Sequence, residues 1–520
     1  MNITQSLRRA VQINPNGIAT IDGDRQQTWS EFAQRVSALA GGLTRNLQLQ
    51  QEDRVAILSL NSDYYLETKY AIAWAGLIAV PLNIRLAPEE LIFLLNDSET
   101  RVLIVDETFS AMLPAFEGKL TSVETIINYS ATDSTKSIVA YQSLIVDSEP
   151  APDANAGNDD TAGIFYTGGT TGLPKGVMLT HDNLVHNALN CLNGLGYNAD
   201  TRYLHAAPMF HAADATSNIA VTMLGGTHVF IPKFEPEQTL QLIEKQQVTN
   251  CTLVPTMINM LVNTPNARQY DLSSLKRLAY GASPMPEAVL KGAQELIPNT
   301  EFSQAYGMTE LSPIITLLAP EFHDFEGPFA HRVRSAGNVV LTGEIRVVDE
   351  YDQPLPNGSI GEVIARGPTV MKGYWRREAE TAEAKKNGWM HTGDAGYMDD
   401  DGYLYIADRV KDMIVSGGEN VYSVEVENAL YQHPAVESCA VIGIPSEAWG
   451  EQVHAIVILH AENSATEADI LNFCKEKIAS YKVPRSLDFR TIPLPVSGAG
   501  KILKTELRKP FWEGRSKQVN

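Results

Sequence analysis

The chain has 520 residues, of which 44% are hydrophobic and 20% are charged, proportions that are ordinary for a soluble globular protein. Its 41 Lys and Arg residues against 62 Asp and Glu residues give a formal net charge of −21. This charge argues against broad electrostatic binding to nucleic acid or to an anionic membrane, although it allows a local cationic site for a phosphate. Because a single hydrophobic core rarely grows beyond about 300 residues, two or more domains are predicted.

The cysteines and the apolar stretches of the sequence indicate where in the cell the protein is located. The four cysteines lie far apart and form no C-x-x-C pair, so neither a disulfide framework nor a zinc site is predicted. The N-terminus lacks the apolar core of a signal peptide. The longest apolar stretch, around residues 70–82, is interrupted by Gly76 and Pro81 and is too short to span a bilayer. These features predict a cytoplasmic protein with no transmembrane segment.

Short apolar runs alternate with amphipathic segments along most of the chain. The runs predict buried strands at 55–58, 78–80, 102–105 and 275–279, and the segments predict helices at 64–75, 88–95 and 284–296. Strands that alternate with helices of this length indicate an α/β fold with parallel-rich sheets covered by helices.

The pattern changes near residues 408–412. Beyond them, strands are predicted at 438–444 and 453–459 and a helix at 467–478, which is an α+β arrangement. We therefore place a domain boundary here, with an N-terminal domain over 1–409 and a C-terminal domain over 410–520.

A glycine- and threonine-rich loop follows the predicted strand at 164–166. It reads Thr167-Gly168-Gly169-Thr170-Thr171-Gly172-Leu173-Pro174-Lys175-Gly176. Glycines let backbone N–H groups approach phosphate oxygens, hydroxyls donate hydrogen bonds, and Lys175 adds a positive charge. The loop is not a Walker A motif, because Pro174 and Gly176 flank the lysine. A plain surface turn is the alternative, but it gives no reason for so many hydroxyls and glycines.

The segment 166–176 resembles the phosphate-binding signature of the acyl-adenylate-forming enzymes. This superfamily comprises acyl- and aryl-CoA synthetases, adenylation domains of peptide synthetases, and firefly luciferase. One departure is Gly168, where many relatives have serine. The resemblance implies a large N-terminal α/β domain with parallel-rich sheets and a β-barrel-like subdomain, followed by a small, mobile α+β C-terminal domain. It also implies that the first domain binds AMP and the acyl group.

The segment 304–310 reads Gln304-Ala305-Tyr306-Gly307-Met308-Thr309-Glu310 and is predicted at a strand-to-helix junction. Its aromatic ring, hydroxyl and carboxylate suit a nucleotide site. The resemblance implies that Tyr306 contacts adenine, Thr309 contacts phosphate and Glu310 binds Mg²⁺, with Gln304 and Gly307 also at the nucleotide. The alternative is that Thr309 and Glu310 only cap a helix.

Two further residues are expected at the ribose. Asp394 can accept hydrogen bonds from both ribose hydroxyls, and Arg409 resembles the second ribose or phosphate contact of the family. The acidic run at 399–401 is predicted as a solvated hairpin turn.

The acid pocket is predicted from His211, which resembles a family residue that shapes the acid site and moves when CoA enters. Small residues follow it, and Gly281, Ala282 and Ser283 open another loop near the expected site. Small side chains leave room for a bulky or long acyl group. No arginine is evident in the pocket, which favours an uncharged tail. Val339 replaces a common family proline near this site.

The C-terminal domain supplies the remaining motifs. Gly417, Gly418 and Glu419 resemble the loop that lines the pantetheine channel of CoA synthetases. Lys501 resembles the family's catalytic lysine, which stabilises charge on the phosphoryl oxygens as the carboxylate attacks. Lys411 matches the family's hinge, about which the C-terminal domain would rotate between the two half-reactions.

The resemblance implies an acyl-CoA synthetase that uses ATP, Mg²⁺ and CoA and acts on a medium- or long-chain fatty acid. An aryl-acid CoA ligase and a stand-alone adenylation enzyme that loads a carrier protein are the alternatives. Asp214 keeps amino-acid activation open, because peptide synthetases place an aspartate near the pocket. A catalytically inactive nucleotide-binding scaffold is disfavoured, because Lys175, Glu310, Asp394, Arg409 and Lys501 are all present. The sequence also allows a homodimer.

Overall fold

The structure is a computed structural model, which describes residues 1–131, 138–167, 174–409, 412–416, 419–446, 448–461, 463–498 and 500–513. Several residues with predicted roles lie outside these ranges: Gly168, Gly169, Thr170, Thr171, Lys411, Gly417 and Gly418.

The strands of the described residues, numbered in chain order, are β1 Ile18–Asp22, β2 Arg25–Thr28, β3 Arg54–Leu58, β4 Ile78–Pro81, β5 Thr100–Val105, β6 Thr125–Asn128, β7 Ile138–Ala140, β8 Thr161–Thr167, β9 Lys175–Thr180, β10 Arg202–His205, β11 Thr227–Phe230, β12 Asn250–Leu253, β13 Arg277–Gly281, β14 Glu301–Tyr306, β15 Thr316–Leu318, β16 Asn338–Val339, β17 Glu344–Val348, β18 Gly361–Arg366, β19 Gly373–Tyr374, β20 Lys385–Lys386, β21 Trp389–Met398, β22 Leu404–Arg409, β23 Ile414–Ser416, β24 Glu419–Val421, β25 Val436–Ser446, β26 Gly450–Leu459 and β27 Ser486–Phe489.

The α-helices of the same residues are α1 Thr4–Ile13, α2 Trp29–Gly41, α3 Asp63–Trp74, α4 Pro88–Asp97, α5 Leu113–Phe116, α6 Tyr141–Val146, α7 His181–Gly194, α8 Ala212–Leu224, α9 Pro236–Gln246, α10 Pro255–Val262, α11 Glu287–Leu296, α12 Glu378–Ala384, α13 Ser423–Leu430, α14 Glu467–Lys475 and α15 Lys504–Trp512.

Two large sheets form the N-terminal part, and both have parallel centres; the first has antiparallel pairing at both edges and the second at one edge. The first has the order β16-β15-β14-β13-β12-β10-β11-β1-β2, and the second has the order β19-β9-β8-β4-β3-β5-β6-β7. Parallel pairing runs through β14-β13-β12-β10-β11-β1 and through β8-β4-β3-β5-β6-β7. The α/β fold with parallel-rich sheets is confirmed. Each strand with buried residues on both faces needs helices on both sides, which explains its continuous apolar run.

The glycine-rich loop joins two antiparallel strands, because β9 follows it before helix α7. Two local expectations differ from the structure. The segment after β14 forms a 3₁₀ turn over Thr309–Leu311 and no α-helix. Helix α11 begins at Glu287, three residues later than predicted, because Pro286 has an extended backbone and forms the N-cap.

A third sheet is antiparallel and follows the first two sheets in the chain. Its order is β17-β18-β21-β20, with β22 paired to β21. The turn between β21 and β22 contains Asp399 and Asp401, as the acidic run predicted, and Asp399 accepts hydrogen bonds from the backbone of Asp401 and Tyr403. This hairpin brings Asp394 opposite Arg409 in the register of β21 and β22.

The C-terminal part has its own sheet, in the order β24-β23-β26-β25 with β27 paired to β26. Two clusters of buried apolar residues draw all their members from residues beyond 410. Residues 410 and 411 lie outside the described ranges, and the boundary between 409 and 410 stays a prediction. In the part of the chain that the structure describes, no helix combines the length and apolar character that crossing a bilayer requires.

Candidate active site

One cleft of about 3240 Å³ collects most of the predicted site residues. It is lined by residues of the first sheet, the glycine-rich hairpin, the third sheet and the C-terminal part: Thr167, Lys175, His211, Gly281, Ala282, Ser283, Gln304, Tyr306, Gly307, Thr309, Glu310, Asp394, Arg409 and Lys501. Glu419 is exposed at the start of β24 and is not among the described residues that line this cleft.

Two glycines of this cleft are required by close packing. A Cβ atom at Gly281 would come within 2.3 Å of the Ala305 carbonyl oxygen, and one at Gly307 within 1.9 Å of the Pro313 carbonyl oxygen. Any larger residue would therefore push apart β13, β14 and the segment after β14, which together form one wall of the cleft.

The glycine-rich hairpin places Lys175 beside the predicted metal ligand. Thr167 pairs with Lys175 at the ends of β8 and β9, so these two residues flank the loop. Strand β19 pairs with β9 and brings in Tyr374, whose hydroxyl donates to Glu310 Oε1 at 2.9 Å. The Lys175 Nζ lies 4.9 Å from the centre of the Tyr374 ring, within cation–π range. Sequence reasoning missed Tyr374, because its approach to both residues depends on strand pairing.

Burial raises the pKa of Glu310, while the hydrogen bond from Tyr374 and the charges of Arg409 and Lys175 lower it. A buried carboxylate beside cations suits a hard divalent ion bound together with phosphates. The described residues contain no cluster of three or more His, Cys, Asp or Glu side chains that would hold a metal alone. Mg²⁺ is ordinarily bound by one or two carboxylates and substrate phosphates, so Glu310 fits the part of such a ligand.

Tyr306, Asp394 and Arg409 form the predicted ribose end. The Tyr306 hydroxyl donates to Asp394 Oδ2 at 2.8 Å, and Arg409 Nε lies 3.5 Å from Asp394 Oδ1. Burial, followed by the negative charge of Asp394, raises the pKa of Tyr306 well above its ordinary value, so Tyr306 stays a neutral donor. Gln304 Oε1 accepts a hydrogen bond at 3.2 Å from the hydroxyl of Tyr280 on the neighbouring strand β13. This bond fixes the position of the Gln304 side chain.

Lys501 reaches this end of the cleft from the C-terminal part. Burial, and next the positive charge of Arg409, lower the pKa of Lys501 from 10.5 to about 8, while Asp394 and Asp412 raise it. The ammonium group therefore lies among the residues predicted to hold the ribose and the α-phosphate.

His211 is the N-cap residue of α8 and lies at the predicted acid-pocket end of the cleft. Its Nε2 is buried without a hydrogen-bond partner among the described residues, and burial lowers the pKa of His211 to about 4. The imidazole is therefore neutral at physiological pH. Asn61 holds the loop before it, donating to the carbonyls of His205 and Ala207 at 3.0 Å and accepting from the Met209 N–H at 2.9 Å. Asn61 was not predicted, since an isolated asparagine carries no signal.

A cluster of hydroxyls is formed by Ser217 of α8, Thr252 of β12 and Tyr197, which precedes β10. Ser217 and Thr252 line the same cleft as His211. The Tyr197 hydroxyl donates to Ser217 Oγ at 3.1 Å. Thr252 Oγ1 is buried and has no well-aligned partner among the described residues, although it lies close enough to lower the pKa of Tyr197 and Tyr203, which burial raises.

Asp214 is already paired. His205 Nδ1 lies 2.6 Å from Asp214 Oδ1, and Asn218 donates to its other oxygen at 3.3 Å. Burial opposes ionisation, but the charges of His205 and Lys69 hold the pKa of Asp214 below its ordinary value. A carboxylate with these partners is poorly placed to hold the amino group of an amino acid.

Comparison with known proteins agrees with this geometry. The family described as AMP-binding enzyme matches residues 7–375, and the AMP-binding enzyme C-terminal domain matches residues 425–501. Feruloyl-CoA synthase of Amycolatopsis sp. is 40% identical over 506 residues, covering 97% of this chain and 98% of the relative. Long-chain-fatty-acid–CoA ligase FadD13 of Mycobacterium tuberculosis is 35% identical over 512 residues, covering 98% of each.

A solved structure of another CoA ligase is also similar to this chain. The anthranilate CoA ligase AuaEII in complex with anthranoyl-AMP has a TM-score of 0.91 at 28% identity, over 98% of this chain and 97% of that one. The chain belongs to the AMP-binding enzyme family and is an acid–thiol ligase of its acyl-CoA synthetase branch.

Proposed function

We propose that the chain activates an aromatic carboxylic acid that carries a hydroxyl group, first as its acyl-adenylate and then as its CoA thioester. The observation that carries the two-step reaction is the single cleft in which Lys501 lies beside Asp394 and Arg409, with His211 at the acid-pocket end. This arrangement supports a role for Lys501 as the cation that stabilises charge where the carboxylate meets the α-phosphate.

In the first step, a carboxylate oxygen attacks the α-phosphorus of ATP and pyrophosphate leaves with the electron pair of the broken P–O bond. Negative charge spreads over the phosphoryl oxygens, and Lys501 and Lys175 stabilise it. Asp394 accepts hydrogen bonds from the ribose and fixes the nucleotide. Bound Mg²⁺ would neutralise phosphate charge, and Glu310, held by Tyr374, is the residue that would bind it.

In the second step, the CoA thiolate attacks the carbonyl carbon of the adenylate. The bond between that carbon and the phosphate oxygen breaks, and AMP leaves. Two residues of the predicted pantetheine loop lie outside the described ranges. Support for CoA as the acceptor therefore comes from the CoA ligases among the relatives. The rotation about Lys411, the homodimer and the cytoplasmic location stay predictions.

The spacing of His211 and Ser217 supports an aromatic tail. Ser217 is six residues beyond His211 on α8, or about 9 Å along the helix axis at 1.5 Å per residue. This length accommodates one aromatic ring on a short side chain, and the hydroxyls of Ser217 and Thr252 at the far end offer partners for a phenolic group. Feruloyl-CoA synthase, at 40% identity, is a relative of matching chemistry.

A medium- or long-chain fatty acid is the second candidate. It was the expectation from the sequence, and the 35% identity to a long-chain-fatty-acid–CoA ligase favours it. A buried hydroxyl left without a partner against an alkyl chain costs about 1–3 kcal/mol, and the Thr252 hydroxyl would be left so, which disfavours this candidate.

The substrate proposal predicts a preference for 4-hydroxycinnamic acid over cinnamic and hexadecanoic acids. Thr252→Val keeps the side-chain shape and removes the hydroxyl, so kcat/KM for 4-hydroxycinnamic acid should fall about tenfold, the equivalent of one neutral hydrogen bond. The value for cinnamic acid should stay unchanged. AMP release with each acid, in the presence of CoA, measures both quantities.

Thr216→Val is the matched control, because Thr216 is a buried threonine of α8 that bonds to the Ala213 carbonyl and does not line the cleft. This variant should leave kcat/KM unchanged for both acids. Equal losses for cinnamic and 4-hydroxycinnamic acids in Thr252→Val would contradict the hydroxyl contact, and a preference for hexadecanoic acid would favour the second candidate.

Lys501 also predicts a pH dependence. Its charged form stabilises the first step, and its pKa of about 8 means that this form is present below pH 8 and lost above it. In acid-dependent exchange between ATP and pyrophosphate, kcat/KM for ATP should fall about tenfold per pH unit above pH 8, since this ratio reports the free enzyme. Lys501→Arg stays charged and should lack this alkaline limb. A wild-type profile that stays flat to pH 10 would exclude Lys501 as the charged group.

A further inference from the structure

The segment that carries Lys501 begins with a tight turn closed by Ser497. The Ser497 carbonyl accepts from the Gly500 N–H at 2.9 Å, and the Ser497 N–H donates to the Lys501 carbonyl at 2.7 Å. The Lys501 N–H donates to Ser497 Oγ at 3.2 Å. The direction in which Lys501 leaves the turn is therefore set by the position of Ser497.

Residues from distant parts of the N-terminal domain hold this turn. Arg85, in the loop after β4, donates from Nη1 to the Ser497 carbonyl at 2.8 Å across 412 residues of sequence. Thr256 Oγ1 donates to the Gly500 carbonyl at 3.3 Å. Gly498 lies against Asn83, where a Cβ atom would come within 2.5 Å of Asn83 Nδ2.

Arg85 differs from the other contacts in charge and exposure. Its guanidinium bonds to the same carbonyl that closes the turn, and a charged donor makes a stronger hydrogen bond than a neutral one. The side chain is exposed, so it can return to water at little cost when the contact breaks. These properties suit a contact that is made for one step of a reaction and released for the next.

We propose that Arg85 is a positioning residue that holds the Ser497 turn so that Lys501 points into the nucleotide end of the cleft. Arg85 lines the cleft, where burial and then the charge of Arg85 lower the pKa of His211. In this proposal the effect of Arg85 on the first step is exerted through Lys501. The inference rests on the proposed function, because it assigns Arg85 to the adenylation step and not to thioester formation.

The test compares the two half-reactions in Arg85→Ala and Arg85→Lys. Acid-dependent exchange between ATP and pyrophosphate measures the first step, and conversion of supplied acyl-adenylate to acyl-CoA measures the second. Arg85→Ala should lower the exchange rate about tenfold, the equivalent of one hydrogen bond to a charged group, and should leave the second step within twofold of wild type. Arg85→Lys should recover part of the loss, because it restores the charge.

A second readout reports on Lys501 itself. Without Arg85 the lysine should spend more time in water, so the alkaline limb of kcat/KM for ATP should move from about pH 8 towards 10. A residue that only stabilised the fold would not move this limb.

Arg45→Ala is the matched control, because Arg45 is also exposed and donates to a backbone carbonyl, that of Glu149, at 3.1 Å. It should leave both steps unchanged. Equal losses in both half-reactions of Arg85→Ala, or an unmoved alkaline limb, would overturn the inference alone. Absence of acid-dependent exchange in the wild type would overturn the proposed function, and this inference with it.

Discussion

Replacing Lys501 with alanine should lower acid-dependent pyrophosphate release by about 10² to 10³, the loss typical of removing one preorganised group that stabilises an oxyanion. The reason is local. Lys501 is the cation that the C-terminal part adds beside Asp394 and Arg409, and its pKa is lowered to about 8 by burial there. Alanine leaves the developing charge on the α-phosphate without this partner.

The same Lys501→Ala variant should still convert supplied acyl-adenylate and CoA to acyl-CoA at nearly the wild-type rate, because the second step builds no charge on a new phosphoryl group. Lys509→Ala is the control. Lys509 lies on α15, is exposed and pairs with Glu506 at 2.7 Å, so it should change neither step. Undiminished pyrophosphate release by Lys501→Ala would exclude Lys501 from the adenylation step.

Asp394→Asn should raise the KM for ATP by about 100-fold, while the KM for the acid stays within twofold. Hydrogen bonds to a charged group contribute about 1.5–3 kcal/mol, and one carboxylate serves both ribose hydroxyls. Asparagine keeps the size but replaces one acceptor with a donor. That donor would face the Tyr306 hydroxyl and Arg409, which both donate to or contact Asp394.

Comparing ATP with 2′-deoxy-ATP as substrates distinguishes loss of the ribose contact of Asp394 from a general loss of folding or activity. The wild type should discriminate against 2′-deoxy-ATP, and Asp394→Asn should lose most of that discrimination. Asp400→Asn, on the exposed hairpin turn, should behave like the wild type. If Asp394→Asn kept full discrimination, the ribose assignment would be wrong.

Local pattern was sufficient for most of the fold. The apolar runs at 55–58 and 102–105 became β3 and β5, and the segment 64–75 became α3 within one residue at each end. Strand β9 was not predicted. Its first two residues, Lys175 and Gly176, were assigned to the glycine-rich loop, whereas pairing with β8 on one side and β19 on the other makes them part of an extended strand. Tertiary pairing here overrides the local signal.

Some residues of the candidate site could be predicted from sequence motifs, and others could not. Lys175 was predicted from the composition of its loop, and Glu310, Asp394 and Lys501 were predicted from the resemblance of their motifs to those of the family. Tyr374 and Arg85 were not, because a lone tyrosine or arginine in sequence gives no indication of its partner. Tyr374 reaches Glu310 across 64 residues and Arg85 reaches Ser497 across 412, and only the folded chain brings these groups together.

The central claim is that one active site makes an acyl-adenylate and passes the acyl group to CoA. The most direct test incubates the full chain with Mg·ATP, CoA and a mixture of aromatic and aliphatic acids, and quantifies nucleotides, pyrophosphate and thioesters by mass spectrometry. We predict AMP, pyrophosphate and one or more acyl-CoA species in equal amounts, and an acyl-adenylate when CoA is omitted. Formation of ADP and phosphate, or of AMP without any dependence on acid, would contradict the claim.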